Sequence, residues 1–251
     1  MSSLLGFDPR DTLVEARRAE PALPEQALSF LALEKLFVRS RQTPSFPVWS
    51  PELLRDRRRP DHEFTLETAM PASVLIGVVH DREPSVVLTL RTSHLSDHAG
   101  QISFPGGRAE PHDPDVQATA LREAQEEIGL DPAAVEVWGS LPHYLTVSGY
   151  RVTPVIGAIQ SAPRYQPDAN EVAEVFHVPL AFLMDPANHQ LRMLPAQQSP
   201  TGECIRFYAM PYAGRDGQER FIWGATAAML RNLYHFLHAA WQQDCNFELS
   251  R

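Results

Sequence analysis

Three glutamates within one turn of a well-bounded helix constrain this chain more than any other feature of its sequence. They follow the i, i+3, i+4 spacing that places side chains on one helix face, and they are Glu123, Glu126 and Glu127. Asp113 or Asp115 can cap the helix at its start, Pro114 suits its first turn, and Gly129 suits the position just past its end. The pattern predicts a helix at about 115–128.

The other side of this helix is predicted to face a protein core. At about 100° per residue, the residues on that side are Gln117, Leu121, Ala124 and Ile128, with Ala120 near its edge. The glutamates share a different side of the helix, at i, i+3 and i+4.

Two interpretations of the acidic side are open. Like charges at i, i+4 destabilise a helix by about 0.2–0.5 kcal/mol per pair, which a solvated face tolerates. Alternatively, a bound cation offsets the repulsion, because carboxylate oxygens are the ligands that Mg²⁺ prefers. Gly106 and Gly107 lie upstream, and a turn there would let a substrate approach the backbone closely.

Composition and charge narrow the class of protein. The chain has 251 residues, 43% of them hydrophobic and 21% charged, an ordinary balance for a globular protein. The formal net charge of −9 argues against a nucleic-acid binder, which usually has a basic stripe. Cys204 and Cys245 show no zinc-site spacing, and neither a signal peptide nor an apolar membrane span is evident. We expect a cytoplasmic protein with reduced thiols.

Residues 1–68 differ from the rest and are predicted to form a partly helical N-terminal extension that packs on the main domain or partly wraps it. A helix is predicted at 24–39, with the apolar residues Ala27, Leu28, Leu31, Leu36 and Phe37. A proline-rich stretch follows, with a basic run at Arg55, Arg57, Arg58 and Arg59. That run either meets a phosphate or an acidic partner, or is a solvated helix end. The main domain is predicted to span 69–245, followed by a tail at 246–251.

Downstream of residue 68, β-branched apolar runs alternate with turn residues. Runs at 72–79 and 86–90 predict a hairpin, and more strands are predicted near 135–142, 152–160, 172–178, 204–210 and 219–222. Besides the acidic helix, helices are predicted near 180–184 and from 225 to about 243. This order predicts an α/β fold with a mixed sheet and helices on both sides. The last helix repeats Leu230, Leu233, Leu237 and Trp241, which indicates core packing or, alternatively, a homodimer face.

The acidic helix also resembles a known family motif. Residues 122–130, REAQEEIGL, resemble the second half of the Nudix box, REUxEExGU with U aliphatic. The spacing from Gly107 is one residue longer than usual, and Asp113 lies near the slot of an upstream glutamate. The resemblance implies a Nudix α/β/α sandwich with a mixed β-sheet, and a site for Mg²⁺ or Mn²⁺.

The resemblance also implies roles for individual residues. Glu123, Glu126 and Glu127 match the metal-binding glutamates of the pattern, and the carbonyl of Gly106 would be a further ligand. Arg122 matches an arginine that orients those glutamates by ion pairing.

The residues upstream resemble a narrower group, the coenzyme A diphosphatases. Their signature, LLTxR[SA]xxxRxxxGxxxFPGG, is matched in register by Leu88, Thr89, Arg91, Gly100, Phe104, Pro105, Gly106 and Gly107. The longer Nudix box with an aspartate is also usual in this group. Stretches at 149–155, 170–176 and 221–227 resemble the same enzymes, so that the resemblance covers about residues 70–240.

Two positions depart from that signature. Thr92 stands where serine or alanine is commoner, and Ser96 stands where the signature has arginine. An arginine there could hold a phosphate bidentately. If it holds the 3′-phosphate of coenzyme A, this chain would bind coenzyme A weakly or prefer another substrate. Alternatively, the arginine is structural, or Arg91, His94 or His98 takes over its role.

The reaction implied by the resemblance is attack by water on a diphosphate phosphorus, with metal ions bridging the oxygens. From coenzyme A the products would be 3′,5′-ADP and 4′-phosphopantetheine, or its acyl form from an acyl derivative. The general base is expected to be Glu126 or Glu171, the latter predicted in a loop ahead of a strand. Substrate contacts are expected from Arg91, His98 and Gly107.

Two other functions remain as alternatives. One is a Nudix hydrolase that acts on another nucleoside diphosphate derivative, such as ADP-ribose or a dinucleotide. The other is a non-catalytic nucleotide sensor with the same fold. The three intact glutamates argue against a sensor, and no helix-turn-helix is evident. In every case the expected partner is a small molecule, not a nucleic acid or a membrane.

Overall fold

Two β-sheets form the frame of the protein in a computed structural model, which describes residues 7–43, 45–52, 65–92, 100–160, 163–199 and 202–248. The strands are, in chain order, β1 Leu13–Arg17, β2 Met70–Val79, β3 Ser85–Arg91, β4 Ile102–Ser103, β5 Gly106–Arg108, β6 Val135–Ser140, β7 Tyr144–Leu145, β8 Tyr150–Ile159, β9 Val172–Pro179, β10 Gln190–Leu194, β11 Ile205–Ala213 and β12 Glu219–Trp223. The α-helices are α1 Phe30–Gln42, α2 Val116–Ile128, α3 Leu180–Leu183 and α4 Ala225–Glu248. Within the described ranges, no helix is long and apolar enough to cross a membrane.

The larger sheet is mixed, as predicted. Its main order is β4-β3-β2-β8-β6, with β5 and β7 added beside β2 and β8, and β9 added beside β3. Strands β2 and β8 run parallel over ten residue pairs, from Met70↔Tyr150 to Val79↔Ile159, whereas the other pairs are antiparallel. The predicted hairpin of β2 and β3 is confirmed by the pairs Val78↔Val86 and Val79↔Ser85.

Helices cover both faces of this sheet, as the α/β prediction requires. Helix α2 packs on one face through Ala120, Ala124 and Ile128, which join Leu75 and Val155 of the central strands in one buried cluster. The opposite face meets α1 and α4 in a larger cluster. Burying a large apolar side chain such as that of Ile128 contributes about 1.5–3 kcal/mol. The packing of α2 therefore fixes the position and rotation of the helix on the sheet, and with them the direction of its acidic side.

The predicted buried side of α2 was wrong at one position. Gln117 is exposed, because it lies in the first turn, before the helix passes over the sheet. Thr119 and Glu127 are buried instead. Burial of a carboxylate on the apolar side is costly unless it has partners, and this marks Glu127 as different from Glu123 and Glu126.

A second, antiparallel sheet was not predicted as separate. Its order is β1-β10-β11-β12, so that β11 and β12 do not extend the mixed sheet. Strands β1 and β10 were missed altogether. Their sequences, LVEAR and QLRML, are short and include charged residues. Strand β1 pairs with β10 across about 180 positions of the chain, and β10 pairs on its other side with β11.

The helix predicted at 24–39 is divided in the structure. A 3₁₀ turn spans Glu25–Leu28, and α1 begins after Ser29, whose hydroxyl accepts a hydrogen bond from the amide of Ala32. Leu31 is 75% exposed, contrary to the predicted apolar side, since it lies opposite the buried Leu33, Leu36 and Phe37. Helix α4 continues to Glu248, past the predicted end near 243, because no glycine or proline interrupts it.

The predicted interactions of Arg55, Arg57, Arg58 and Arg59 lie outside the described residues, as do those of Ser96 and His98.

Candidate active site

Helix α2 begins and ends where its sequence signals indicated. Of the two candidate caps, Asp115 is the one used, and its side chain accepts hydrogen bonds from the amides of Gln117 and Ala118 at 2.9 and 2.8 Å. Gly129 adopts φ +67° just past the end, a left-handed conformation that favours glycine. The ends of the helix are thus fixed, and its middle turns are held in register over the sheet.

Asp113 has a different role, since it binds Arg122. Its two carboxylate oxygens accept hydrogen bonds from the Nε and Nη2 atoms of Arg122, both at 3.0 Å. The Arg122 guanidinium holds the pKa of this carboxyl well below its usual range, aided by the amide of Glu110 and the hydroxyl of Thr119. The loop before α2 is therefore tied to the helix through a charged pair.

Arg122 also contacts two of the three clustered glutamates. Its guanidinium lies 3.0 Å from a carboxylate oxygen of Glu123 and 2.9 Å from one of Glu126. It donates a further hydrogen bond, 3.0 Å long, to the carbonyl of Arg108 in β5. A guanidinium presents several donors in a fixed plane, so one side chain orients both glutamates relative to the glycine-containing strand.

Gly106 and Gly107 bring the backbone of β5 against the glutamates. The amide of Gly106 donates a hydrogen bond to Glu127 Oε2 at 3.2 Å. A Cβ atom on Gly107 would lie 2.4 Å from a carboxylate oxygen of Glu123, so a side chain there would displace that carboxylate. Neither glycine has room for a Cβ atom. At these two positions no side chain of β5 separates its backbone from the glutamates.

Burial raises the pKa of Glu127 to about 7, and the charges of Glu123 and Glu171 add to the effect. The Gly106 amide and Arg91 oppose it without offsetting it. The pKa of Glu123 is raised as well, chiefly by burial and despite Arg122. The arginine contacts of these two carboxylates therefore offset only part of the cost of burying their charge, and a bound cation would offset more of it.

Arg91 and Glu171 approach the helix from the mixed sheet. Arg91 ends β3, and its Nη1 atom lies 3.7 Å from Glu127 Oε1 and 3.9 Å from Glu171 Oε2. Its Nε atom is buried and has no hydrogen-bond partner among the described residues. Glu171 lies in the turn before β9, where the loop prediction placed it.

Thr92 was not predicted as a site residue, yet its amide donates a hydrogen bond to the carbonyl of Glu171 at 2.9 Å. Asp168 was also missed. A signal for the turn was present in the sequence, because Asp168-Ala169-Asn170 is a composition typical of Asx turns. The sequence of the turn does not show that Thr92 is its partner just after β3.

The described residues contain no group of three or more His, Cys, Asp or Glu side chains arranged closely enough to hold a metal ion. Instead, Glu123 and Glu126 pair with Arg122, and Glu127 and Glu171 lie near Arg91. The donor chemistry nevertheless fits a hard divalent cation, since all four side chains offer carboxylate oxygens. The raised pKa values of Glu123 and Glu127 point to the same fit.

Comparison with known proteins identifies the family. The model of the NUDIX domain matches residues 70–196, about half of the chain, including β2, β5 and all of α2. The chain belongs to the Nudix family. It is therefore an enzyme of the class that hydrolyses pyrophosphate bonds in small molecules, and Nudix hydrolases generally use divalent metal ions such as Mg²⁺ or Mn²⁺.

Bacterial relatives match 64% of this chain. A protein named "Uncharacterized Nudix hydrolase NudL" from Pectobacterium atrosepticum is 41% identical over 162 residues, which are 64% of this chain and 80% of the relative. A protein of the same name from Shigella boydii serotype 4 is 43% identical over the same shares. Among solved structures, a Nudix hydrolase of M. smegmatis, RenU, is 22% identical, with a TM-score of 0.39, covering 45% of this chain and 71% of that one.

Proposed function

We propose that this Nudix hydrolase cleaves the diphosphate bond of coenzyme A or its acyl derivatives. The products would be 3′,5′-ADP and 4′-phosphopantetheine or its acyl form. The observation that best supports a hydrolytic site is the pair Glu123 and Glu127, whose raised pKa values the nearby arginines offset only in part, held beside the Gly106–Gly107 backbone. The coenzyme A assignment rests on the signature residues around Arg91 and Phe104.

Glu123, Glu126 and Glu127 would hold Mg²⁺ or Mn²⁺, with the carbonyl of Gly106 as a further ligand. When bound, the metal would polarise the phosphoryl oxygens and lower the pKa of an attacking water. The glutamates would have to turn from the arginines toward the cation. Arg122 would stay in place beside the site, since Asp113 and the Arg108 carbonyl hold it independently of the glutamates.

Arg91 would bind the substrate diphosphate. Its side chain is partly exposed at the site and has an Nε atom without a partner among the described residues. A guanidinium can donate two parallel hydrogen bonds to a phosphate. The backbone at Gly107 would lie beside the same diphosphate, and His98 remains a predicted contact.

The attacking water needs a base, and Glu171 is the stronger of the two predicted candidates. Its nearest ion-pair contact among the described residues is 3.9 Å away, whereas Glu126 is held by Arg122 at 2.9 Å. In the reaction, water adds to one phosphorus, the bond to the bridging oxygen breaks, and the carboxylate takes the water proton. Glu171→Gln should reduce kcat more than Glu126→Gln does.

The decisive experiment is incubation of the protein with coenzyme A and Mg²⁺ or Mn²⁺, with products resolved by chromatography and EDTA as the control. Metal-dependent release of 3′,5′-ADP and 4′-phosphopantetheine is expected. Cleavage of ADP-ribose or dinucleotides without cleavage of coenzyme A would move the substrate and keep the mechanism. Cleavage of none of these compounds would favour a non-catalytic sensor.

A second candidate, hydrolysis of another nucleoside diphosphate derivative, is favoured by Ser96, which lacks the positive charge of the signature arginine. We expect Ser96→Arg to raise affinity for coenzyme A relative to 3′-dephospho-coenzyme A. Equal effects on the two KM values would mean that position 96 does not contact the 3′-phosphate. A cytoplasmic location and a homodimer stay predictions.

A further inference from the structure

Thr92 lies buried just after β3, at the junction between the mixed sheet and the turn that contains Glu171. Its amide donates a hydrogen bond to the Glu171 carbonyl at 2.9 Å, and its hydroxyl donates one to the Asn170 carbonyl at 3.0 Å. The residue is 6% exposed. Two consecutive carbonyls of the turn are thus fixed by one residue.

The same turn is fastened to the end of α2. The amide of Asp168 donates to the carbonyl of Glu127 at 3.0 Å, and the amide of Glu171 donates to the carbonyl of Asp168 at 3.0 Å. The Asp168 carboxylate also accepts hydrogen bonds from the amide and the side chain of Asn170, at 2.9 and 2.8 Å. Asp168 therefore fixes the turn relative to the helix that holds the clustered glutamates.

The turn that Thr92 and Asp168 hold also lies next to Arg91. Arg91 directly precedes Thr92, and its own amide donates to the carbonyl of Gln101 at 3.0 Å. Its guanidinium lies between the carboxylates of Glu127 and Glu171. A shift of Thr92 would therefore move the arginine and the turn relative to α2.

We infer that Thr92 and Asp168 are positioning residues, which hold the Glu171 carboxylate at a fixed place opposite Glu127. The inference rests on the proposed hydrolytic function and on Glu171 as its base. The Thr92 hydroxyl is the part that a substitution can remove while the backbone hydrogen bond remains. Misplacement of a reacting group by about 1 Å can cost up to about a hundredfold in rate.

The test is a double-mutant cycle on the diphosphate that the wild type cleaves. Thr92→Val removes the hydroxyl at nearly constant volume, and Thr92→Ser keeps it. We expect Thr92→Val to lower kcat about tenfold with KM within about twofold, and Thr92→Ser to restore most of the loss. In the Glu171→Gln background, Thr92→Val should have almost no further effect, because the group that it positions is absent.

Hydrogen exchange of the metal-free protein gives a readout independent of activity. Amides of the turn 166–172 should exchange faster in Thr92→Val than in the wild type or Thr92→Ser. The pair Asp168→Ala and Asp168→Asn offers a second comparison, since asparagine keeps an oxygen acceptor for Asn170. Alanine should slow turnover more than asparagine does, again only when Glu171 is present.

The result that overturns the inference is an equal slowing by Thr92→Val in the wild-type and Glu171→Gln backgrounds, which would show a general structural role. A Glu171→Gln variant with wild-type turnover would overturn it as well. If the wild type cleaves no diphosphate at all, the proposed function fails and the positioning role fails with it. An active wild type that is unaffected by Thr92→Val refutes the inference alone.

Discussion

Two arginine-centred clusters in this enzyme look alike in composition and differ in charge balance. One is the Arg122 cluster on α2, with Asp113, Glu123 and Glu126. The other is the α4 clamp, in which Arg231 binds Glu20 and Glu52 from the N-terminal residues and also contacts His189.

In the α4 clamp two arginines face two glutamates, because Arg18 also pairs with Glu52 at 2.8 Å. The Arg231 side chain is completely buried between the two glutamates. Burial alone would raise the pKa of Glu52, but hydrogen bonds from His235, Tyr208 and Arg231 hold it well below its usual range. The clamp therefore attaches the N-terminal residues to α4 and β11, and both of its glutamates have lowered pKa values.

In the Arg122 cluster and beside it, the arginine contacts offset the charge of the glutamates only in part. Asp113 is satisfied by Arg122, yet the pKa values of Glu123 and Glu127 are raised, although Arg122 lies 3.0 Å from Glu123 and Arg91 lies 3.7 Å from Glu127. The comparison teaches that the number of acidic residues near an arginine does not set their pKa values. Burial that the neighbouring positive charge offsets only in part raises them, and such carboxylates are candidates for a functional site.

The largest expected effect comes from Glu127→Gln. If Glu127 is a metal ligand, its loss should reduce kcat by about a hundredfold or more, equivalent to roughly 3 kcal/mol. The free energy of unfolding should stay level or rise, because the variant removes a carboxylate whose burial disfavours its charge. Steady-state kinetics and chemical denaturation measure the two quantities. Wild-type turnover in this variant would contradict the assignment of the site.

The next effect concerns pH and the clamp. Burial, with Arg231 nearby, lowers the pKa of His189 from its ordinary 6.5 to about 4. Between these values the unfolded chain binds a proton that the folded protein does not, so the free energy of unfolding falls as the pH falls from 6.5 to 4. The total loss from this group is about 3 kcal/mol.

His189→Gln tests that contribution, because glutamine does not titrate. Denaturation curves at pH 7 and pH 4 should show a smaller acid-induced loss in the variant than in the wild type. An identical loss in both proteins would show that His189 is protonated in the folded state or that other groups dominate.

The smallest of the three effects separates stability from activity within the clamp. Glu52→Gln should lower the free energy of unfolding by about 2 kcal/mol, because Glu20 would be the one remaining carboxylate partner of the buried Arg231 among the described residues. The partial exposure of Glu52 to solvent limits the loss. Turnover by the folded protein should be unchanged. Glu15→Gln is the matched control, because Glu15 forms its ion pair with Arg206 at the surface. If both variants have the same stability, the clamp does not hold the N-terminal residues.

Sequence signals from neighbouring residues predicted the elements that hold the site, but they did not predict pairing between distant parts of the chain. The caps of α2 and the β2–β3 hairpin follow from neighbouring residues, as do Gly129 and the box of glutamates. Strand β1 and the contact of Thr92 with Glu171 depend on partners far along the chain, whereas β10 pairs both with distant β1 and with nearby β11. Gln117 was misplaced because periodicity gives the direction of a side chain and does not show where the sheet begins.

Charge balance was equally beyond the sequence. Glu123, Glu126 and Glu127 have the same chemistry in the motif, and only packing makes Glu127 buried while Glu126 is exposed. The glutamates of the α4 clamp gave no sequence signal at all, since Glu20 and Glu52 lie about 180 or more positions from Arg231.

The most direct test of this contrast is Mn²⁺ binding, measured by electron paramagnetic resonance without substrate on the wild type, Glu127→Gln and Glu52→Gln. The account predicts that the wild type and Glu52→Gln bind Mn²⁺ alike, and that Glu127→Gln binds it about tenfold or more weakly. Two results would contradict the claim that Glu123, Glu126 and Glu127 of α2 form the metal site. One is equal affinity of Glu127→Gln and the wild type, and the other is no binding by the wild type.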